Sequence, residues 1–373
     1  MEHRTAHGAV VRFPDQGFEQ GEIKVGPPRS DEVLVRIAAT GMCHTDMIVR
    51  DQVFPVPLPM VLGHEGAGVV EAVGDRVEKV AVGDHVVLTF LSCGTCRPCR
   101  QGVLANCENF NALNFSGCRP DGSHAVEEQS GPVLGDRFFG QSSFATHAIA
   151  HERNVVKVRR DAPLELLGPL GCGIQTGAGA VFNALALQPG SSFAAFGGGA
   201  VGLSAVMAAR VAGAVTIIAI DVVQARLDLA LEIGATHVIN PHENDVIDSI
   251  KAITNGGVDA SLDSTGIATV IDQAVTSLRP RGSCAIVGAA PPGTRLDLDM
   301  MDVMQNCKSI RGVVEGNGNP DLMIPMLVDL FMSGRFPIDR LSTFYELGEI
   351  NEAARDSETG GTIKPIIRMP QHL

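Results

Sequence analysis

Apolar residues in the first 90 positions fall in short runs separated by glycine, proline and aspartate. VLVRIAAT (33–40), GAGVVEAVG (66–74) and DHVVLTF (84–90) are examples, and FATHAIAHERNVVKV (144–158) resumes the pattern after a loop-rich stretch. Runs of this length and composition predict β-strands joined by tight turns. The pattern therefore predicts a β-rich region that folds as a partly open barrel.

The pattern changes near residue 165. LELLGPLGCGIQTGAGAVFNAL (164–185) predicts a helix with glycine interruptions. Beyond it, short strands such as VTIIAID (215–221) alternate with helices such as QARLDLALEIGA (224–235), which indicates βαβ units and a parallel sheet. The last part predicts a helix around LMIPMLVDLFMSG (322–334) and ends in TIKPIIRM (362–369).

These patterns predict an α/β protein with two domains. Residues 1–176 form the β-rich domain, residues 177–312 form a doubly wound parallel-sheet domain, and residues 313–373 return to the first domain. The length of 373 residues agrees with two or three domains.

Composition and charge narrow the functional classes. Hydrophobic residues make up 45% and charged residues 19%, as in a soluble globular protein with a large core. The net charge of −13 argues against a nucleic-acid partner, because phosphate binding needs a basic face. The N-terminus lacks the features of a signal peptide, and no uninterrupted apolar run of about 18 residues is present. We therefore expect a cytoplasmic protein with no membrane span.

A glycine motif lies in the parallel-sheet region. GGGAVG (197–202) has the spacing Gly197-x-Gly199-x-x-Gly202, follows an apolar strand and precedes a helix. Gly197 permits the sharp turn, Gly199 lets the backbone approach a pyrophosphate, and Gly202 lets the helix pack on the strand. The N–H groups of the first helical turn, at Ala200 and Val201, then face the phosphates. The sequence predicts a dinucleotide site.

Asp221 ends the next strand, 19 residues after Gly202. Its carboxylate can accept hydrogen bonds from both adenosine ribose hydroxyls and repels a 2′-phosphate, which predicts NAD rather than NADP. Arg226 lies five residues later and weakens that preference.

Four of the nine cysteines fall within fifteen residues, as Cys93-x2-Cys96-x2-Cys99-x7-Cys107. Four thiolates at these spacings can surround one tetrahedral zinc ion. An iron–sulfur cluster is the rival, but the short spacing and the proline that usually accompany its last cysteine are missing. With all four positions occupied, this zinc is expected to be structural.

Cys43, His64 and Cys172 are candidates for a second metal site. They are far apart in sequence, so only the fold can bring them together, and each alone is more often a core cysteine or a hydrogen-bonded histidine. A Cys2His set leaves the fourth zinc position open for water or an alcohol.

The order of these motifs resembles the zinc-containing medium-chain alcohol dehydrogenases over essentially the whole chain. GHEGAG (63–68), the four-cysteine lobe, Cys172 and GGGAVG with Asp221 carry the resemblance. FFGQSSFATHA (138–148) and LGPLGCGIQTGAGA (167–180) are most similar to the bacterial benzyl-alcohol and geraniol type. The resemblance implies a GroES-like catalytic domain and a Rossmann coenzyme domain.

The resemblance also implies roles for individual residues. Cys43, His64 and Cys172 would ligate a catalytic zinc, with Asp46 bonded to the ring of His64 and Glu65 beside the metal. Thr45 would take the proton of the alcohol, whose hydride passes to NAD. The residues implied for the cofactor, in addition to the glycine motif, Asp221 and Arg226, are His44 and Lys364 near the phosphates and Thr176 near the nicotinamide. A second zinc ligand is the alternative role for His44.

Ile48 departs from the family pattern. Many relatives carry a histidine there, which passes the proton from the cofactor ribose to solvent. Isoleucine cannot, so we hypothesise that proton release depends on water or on His44.

The implied substrate pocket is apolar. Its predicted members are Phe54, Phe90, Leu113, Phe115, Ala289 and Val314. The expected activity is oxidation of aryl or allylic primary alcohols by NAD with two zinc ions per chain, in a homodimer or homotetramer. The alternatives are a short-chain alcohol dehydrogenase, a formaldehyde dehydrogenase acting on a thiol adduct, and, from another class, a non-catalytic zinc-binding module.

Overall fold

The computed structural model describes residues 3–128, 131 and 133–370. Its strands are β1 (Arg4–Val11), β2 (Glu19–Val25), β3 (Glu32–Gly41), β4 (Met60–Val61), β5 (Glu65–Val73), β6 (His85–Leu88), β7 (Val126–Glu128), β8 (His147–His151), β9 (Val155–Lys157), β10 (Ser192–Phe196), β11 (Thr216–Ile220), β12 (His237–Ile239), β13 (Val258–Asp263), β14 (Leu278–Ile286), β15 (Ser309–Gly312), β16 (Ser342–Glu346) and β17 (Lys364–Arg368).

Helices connect the strands, together with short 3₁₀ turns. The α-helices are α1 (His44–Arg50), α2 (Arg97–Arg100), α3 (Phe110–Asn114), α4 (Gly173–Gly179), α5 (Ala200–Val211), α6 (Gln224–Ile233), α7 (Val246–Thr254), α8 (Ala268–Thr276), α9 (Met300–Gln305), α10 (Pro320–Met332) and α11 (Ile350–Glu358). Within the described ranges, no helix is both long and apolar enough to cross a membrane.

The chain divides into two compact units. The first unit comprises Met1–Cys172, Asn319–Asp329 and Asp339–Leu373, and the second comprises Gly173–Gly318 and Leu330–Ile338. Each unit has its own sheets, so each is described separately.

The first unit contains two sheets. One has the strand order β4-β1-β2-β7, and the other has the order β16-β17-β3-β5-β6-β9, with β8 also paired to β3. Strand β3 is almost entirely buried because β17, β5 and β8 pair with it, which explains its nearly continuous apolar sequence. The last strand, β17, runs antiparallel to β3, so the end of the chain completes this sheet.

The second unit contains a parallel sheet of six strands in the order β12-β11-β10-β13-β14-β15. Numbered from β10, this is the order 3-2-1-4-5-6 of doubly wound dinucleotide-binding folds. Strand β10 is fully buried, as expected for a central strand covered on both faces. The predicted α/β fold class, with its Rossmann sheet, is confirmed.

The chain passes from one unit to the other after Cys172, Gly318, Asp329 and Ile338, whereas the sequence patterns placed the boundaries at 176 and 312. The reason is close backbone packing around α4. A Cβ on Gly177 would lie 2.0 Å from the carbonyl oxygen of Val201, and one on Gly179 would lie 2.4 Å from that of Gly316. Contacts this close attach the whole of α4 to the second unit.

The helix expected over 164–185 is interrupted. Two 3₁₀ turns precede Cys172, whose φ of −144° and ψ of −88° are not helical, and α4 begins only after it. A Cβ on Gly168 or Gly171 would meet a carbonyl oxygen at 2.1 Å, from Glu65 or Leu88 respectively. The turn lies flat against β5 and β6, which is incompatible with a continuous helix.

Candidate active site

Asp46 fixes the start of α1. Its side chain is fully buried, and its carboxylate accepts hydrogen bonds from the backbone N–H of Cys43 at 2.9 Å and of Gly63 at 3.1 Å. Its Oδ1 atom also lies 3.0 Å from Nδ1 of His64. An ionised carboxylate can only accept, so Nδ1 of His64 carries the proton and Nε2 is free to act as a ligand.

Cys43, His64, Glu65 and Cys172 converge in the first unit. One donor atom from each lies within 4.8 Å of the others. Nε2 of His64 is buried and has no hydrogen-bond partner of normal geometry among the described residues. A buried imidazole nitrogen without a partner is costly, and a metal ion removes that cost. The donor set of two thiolates and one imidazole fits zinc.

The fold explains how these distant residues meet. Cys43 follows the end of β3, and His64 precedes β5, whose residue Glu65 pairs with Gly41 of β3. Cys172 lies at the break in the glycine-rich turn that packs on β5 and β6.

Lys364 is buried beside Glu65. Its side chain is 3% exposed, and Nζ donates to both carboxylate oxygens of Glu65 at 2.9 Å and to the carbonyl oxygen of Met42 at 3.1 Å. All three contacts lie inside the first unit, where β17 brings Lys364 beside Glu65. The role of Lys364 as a phosphate contact stays a prediction.

The electrostatics of this group reflect burial and close charge. The hydrogen bond from Cys172 is the largest influence that holds the pKa of the Cys43 thiol well below its ordinary value. Burial raises the pKa of Glu65, although Lys364 opposes the change. Burial lowers the pKa of Lys364, but the nearby charges of Glu65 and Cys43 outweigh it and raise the pKa overall. The group is rich in negative charge, which suits a divalent cation.

The residues next to Cys43 in the segment GMCHTDMI (41–48) differ in their surroundings. His44, the first residue of α1, is exposed, and Thr45 is half-buried with its Oγ1 atom 3.7 Å from Sγ of Cys43. Ile48 is half-buried and packs against the core of the first unit. The structure therefore separates His44 from the buried metal group and holds Thr45 beside it.

Aromatic rings extend from His64 toward the surface of the first unit. Phe139 stacks on the imidazole with ring centroids 4.4 Å apart, and Phe115 meets Phe139 at 5.2 Å. Phe54, which is 37% exposed, lies 4.6 Å from Phe115. Phe90 is buried and joins this cluster through Phe110. Three of the predicted pocket residues are thus members of one aromatic cluster.

The other predicted pocket residues lie elsewhere. Leu113 lines a cavity of about 410 Å³ with Cys118, Arg119 and Arg153. In the second unit, Ala289 is exposed beside Gly266, and Val314 is 45% exposed.

The four-cysteine lobe brings its sulfur atoms together. The Sγ atoms of Cys93 and Cys99 are 3.9 Å apart, as are those of Cys96 and Cys107. Zinc–sulfur bonds of about 2.3 Å in a tetrahedron require about 3.8 Å between sulfur atoms. Backbone N–H groups also point at the sulfurs, for example from Cys96 to Sγ of Cys93 at 3.3 Å. The geometry fits a closed zinc site.

The thiols of this lobe differ in acidity. Burial raises the pKa of Cys99 to about 12. Burial also opposes ionisation of Cys93, but N–H donors from Thr95 and Cys96 lower its pKa to about 5. Four thiolates this close repel one another, so a cation is needed for all four to ionise.

The glycine motif has the predicted geometry in the second unit. Gly197 has a φ of 103°, which favours glycine, and a Cβ on Gly202 would lie 1.8 Å from the carbonyl oxygen of Gly197. A Cβ on Gly199 would meet nothing within 4 Å. Gly199 caps α5, whose first residues Ala200 and Val201 are half-buried. The space at Gly199 is where a pyrophosphate can approach the N–H groups of α5.

Asp221 follows β11 beside this turn. Its carboxylate accepts hydrogen bonds from the backbone N–H of Gly198 at 2.6 Å and of Val223 at 2.8 Å. Arg226 approaches it at 3.7 Å, and Nε of Arg226 is buried without a hydrogen-bond partner among the described residues. Thr176 lies in α4 of the same unit and is buried.

Several residues around His64 were not predicted from the sequence. The turn that follows Arg137 supplies Phe138, Phe139 and Gln141, and Nε2 of Gln141 donates to the carbonyl oxygen of His64 at 2.8 Å. The motif FFGQSSFATHA was visible, but nothing in its composition indicates which ring faces His64.

Comparisons with known proteins agree with this architecture. Residues 29–160 match the alcohol dehydrogenase GroES-like domain, and residues 200–332 match the zinc-binding dehydrogenase family. A geraniol dehydrogenase from Castellaniella defragrans is 47% identical over 97% of both chains.

Two crystal structures are also similar. An alcohol dehydrogenase zinc-binding domain protein from Burkholderia ambifaria is 56% identical, with a TM-score of 0.98 over 99% of this chain and 100% of that one. A benzyl alcohol dehydrogenase from Acinetobacter calcoaceticus is 51% identical, with a TM-score of 0.96 over 98% of this chain and 100% of that one. The chain therefore belongs to the zinc-containing medium-chain alcohol dehydrogenase family.

Proposed function

We propose that the chain catalyses the reversible oxidation of aryl or allylic primary alcohols to aldehydes, with two zinc ions and NAD. The observation that carries this proposal is the convergence of Cys43, His64 and Cys172, with a buried Nε2 atom that has no hydrogen-bond partner of normal geometry in the part of the chain that the structure describes. Three such donors leave the fourth tetrahedral position for an alcohol. The activities named for the geraniol and benzyl alcohol dehydrogenases support this substrate class.

The roles of the side chains follow from their positions. Cys43, His64 and Cys172 would hold the catalytic zinc, and Asp46 keeps the tautomer of His64 that leaves Nε2 available. When bound, zinc supplies a Lewis acid that lowers the pKa of the alcohol, and NAD supplies the hydride acceptor. Thr45, beside Cys43, would accept the alcohol proton and pass its own hydroxyl proton on to water or to His44. Glu65 is held by Lys364 and would contribute negative charge beside a bound zinc ion.

The aromatic cluster supports a flat, conjugated substrate. Phe115 packs against Phe139, which stacks on His64, and aromatic pairs of this kind contribute about 0.5–1.5 kcal/mol beyond burial. For the cofactor, Asp221 favours NAD, while Arg226 at 3.7 Å weakens the discrimination against NADP.

Steady-state kinetics test the proposal. Benzyl alcohol, geraniol, ethanol and formaldehyde with and without a thiol would each be assayed with NAD and with NADP. We expect kcat/KM for benzyl alcohol or geraniol with NAD to exceed that for ethanol by at least about 10-fold, since burial of the larger apolar group favours the transition state. A higher kcat/KM for ethanol or for the thiol adduct would assign the chain to the corresponding alternative.

A further inference from the structure

Three groups from one turn contact His64. The turn, residues 138–142, follows Arg137 and is buried. Phe139 stacks on one face of the imidazole, with centroids 4.4 Å apart and planes 24° apart. The ring of Phe138 meets the imidazole edge to face at 5.2 Å and 89°. Nε2 of Gln141 donates to the carbonyl oxygen of His64 at 2.8 Å, and its Oε1 accepts from the backbone N–H of Gly66 at 3.0 Å.

The backbone of Phe139 is unusual for its residue type. Its φ of 50° and ψ of 33° lie in the left-handed region, which a bulky side chain rarely adopts. The buried side chain of Asn154 helps to hold this conformation, because Nδ2 donates toward the carbonyl oxygens of Phe139 and Gly140 at 3.4 and 3.3 Å. An unfavourable backbone conformation that the surroundings enforce is typical of functional sites.

The hydrogen bond to Asp46 does not by itself fix the imidazole. A single bond at Nδ1 sets the tautomer and one direction, but the ring can still tilt and rotate about that bond. The ring of Phe139, stacked on one face of the imidazole, and the edge-to-face ring of Phe138 prevent those motions. Metal–nitrogen bonds require the ion to lie close to the imidazole plane, so the orientation of this plane determines how well Nε2 meets the sulfur donors.

We propose that Phe139 is a positioning residue that holds the imidazole of His64 in the plane required to bind the catalytic zinc. The left-handed turn places its ring there, and Asn154 and Gln141 keep the turn against His64. This inference rests on the proposed role of His64 as a zinc ligand. It assigns to Phe139, the second phenylalanine of FFGQSS, a function in metal retention that is separate from contact with substrate.

The test is the rate at which zinc passes to a chromogenic chelator. The native chain should release zinc in two phases, one from each site. Phe139→Leu keeps an apolar side chain but removes the ring, and we expect it to accelerate one phase about 10-fold and to lower kcat, with KM for NAD and the other phase unchanged. Phe139→Tyr retains a ring and should release zinc at the native rate.

Phe18→Leu is the matched control. Phe18 is a buried phenylalanine of the first unit that contacts Phe144 and not His64. It should leave both release phases unchanged. Equal acceleration by Phe18→Leu or by Phe139→Tyr would overturn the inference, as would native release rates in a Phe139→Leu chain. If Phe139→Leu does not fold, Phe139→Gly takes its place, because glycine adopts this φ freely.

The inference and the proposed function fail in different ways. If the native chain releases only one zinc ion, the catalytic zinc site does not exist and the proposed function is refuted. If zinc leaves in two phases and substitution of Phe139 changes neither rate, only the positioning role is refuted.

Discussion

Lys364 donates to both carboxylate oxygens of Glu65 at 2.9 Å, in a place where the two side chains are 3% and 0% exposed. The ammonium group is directly behind the residues that would hold the catalytic zinc. It balances one of the negative charges that converge there, which makes it part of the architecture of the site.

Replacing Lys364 by methionine should therefore destabilise the first unit. Breaking one side of a buried ion pair leaves an uncompensated charge and costs about 3–5 kcal/mol. The free energy of unfolding, measured in urea, is expected to fall by that amount and to recover partly in the Lys364→Met, Glu65→Gln double variant. Lys79→Met is the control, because Lys79 pairs with the 41% exposed Asp321 and should change little. A Lys364→Met chain as stable as the native one would contradict this account.

Substitutions in the four-cysteine lobe and at the catalytic cysteines should have different effects on stability and on turnover. Cys107→Ser is expected to reduce bound zinc from about two to about one per chain and to lower the melting temperature, since the lobe depends on its ion. Cys172→Ser should also remove one zinc but abolish turnover with a smaller change in melting temperature. Metal analysis together with calorimetry checks both, and a native chain with one zinc would refute the pair of assignments.

Ile48→His tests how the proton leaves. If proton transfer limits the rate, the histidine is expected to raise kcat and to change its pH profile, because it titrates near neutral pH. Ile48 packs against the core, so some stability will be lost through burial of a polar ring. Ile48→Gln is the control, since it introduces a polar side chain that does not titrate. An unchanged profile, with a substrate isotope effect showing that chemistry limits the rate, would count against the hypothesis.

Asp221→Ser should shift cofactor use toward NADP. The change removes the charge that repels a 2′-phosphate and leaves Arg226, 3.7 Å away, available to bind one. We expect the ratio of kcat/KM for NADP to that for NAD to rise at least about 10-fold, since one charge contact typically contributes that much specificity. The double variant Asp221→Ser, Arg226→Ala should lose most of the gain. If it keeps the gain, the phosphate binds elsewhere.

Protonation of Glu32 is expected to destabilise the first unit in acid. Burial alone would raise the pKa of this carboxylate, but Arg119 and Arg137 bind it at 2.7 to 2.9 Å and lower its pKa to about 2. The pKa of Glu32 is lower in the folded chain than in the unfolded chain. The ionised carboxylate therefore stabilises the fold at pH values above its unfolded pKa, and this stabilisation is lost as the pH falls toward its folded pKa. The difference between 4.5 and about 2 corresponds to about 3 kcal/mol.

Urea unfolding at pH 6, 4 and 2.5 checks this point. The native chain should lose stability over this range faster than Glu32→Gln, which cannot titrate and is less stable at pH 6. Parallel curves for the two chains would show that another carboxylate controls acid unfolding.

The sequence alone determined whatever depends on local spacing. The Gly197, Gly199 and Gly202 pattern requires only a strand, a turn and a helix, and the four cysteines of the lobe are close enough along the chain to share one ion. Alternating apolar runs likewise determined the parallel sheet, because the period of the pattern is a property of the chain itself.

Tertiary structure decided what depends on contacts between distant segments. Cys43, His64 and Cys172 meet only because β3 pairs with β5 and because the turn before α4 packs flat on both β5 and β6. The same folding buries Lys364 on Glu65 instead of exposing it, and it places Phe139 over His64. Side-chain direction depends on backbone dihedrals and on neighbours from elsewhere in the chain, and neither is encoded in the spacing of residues.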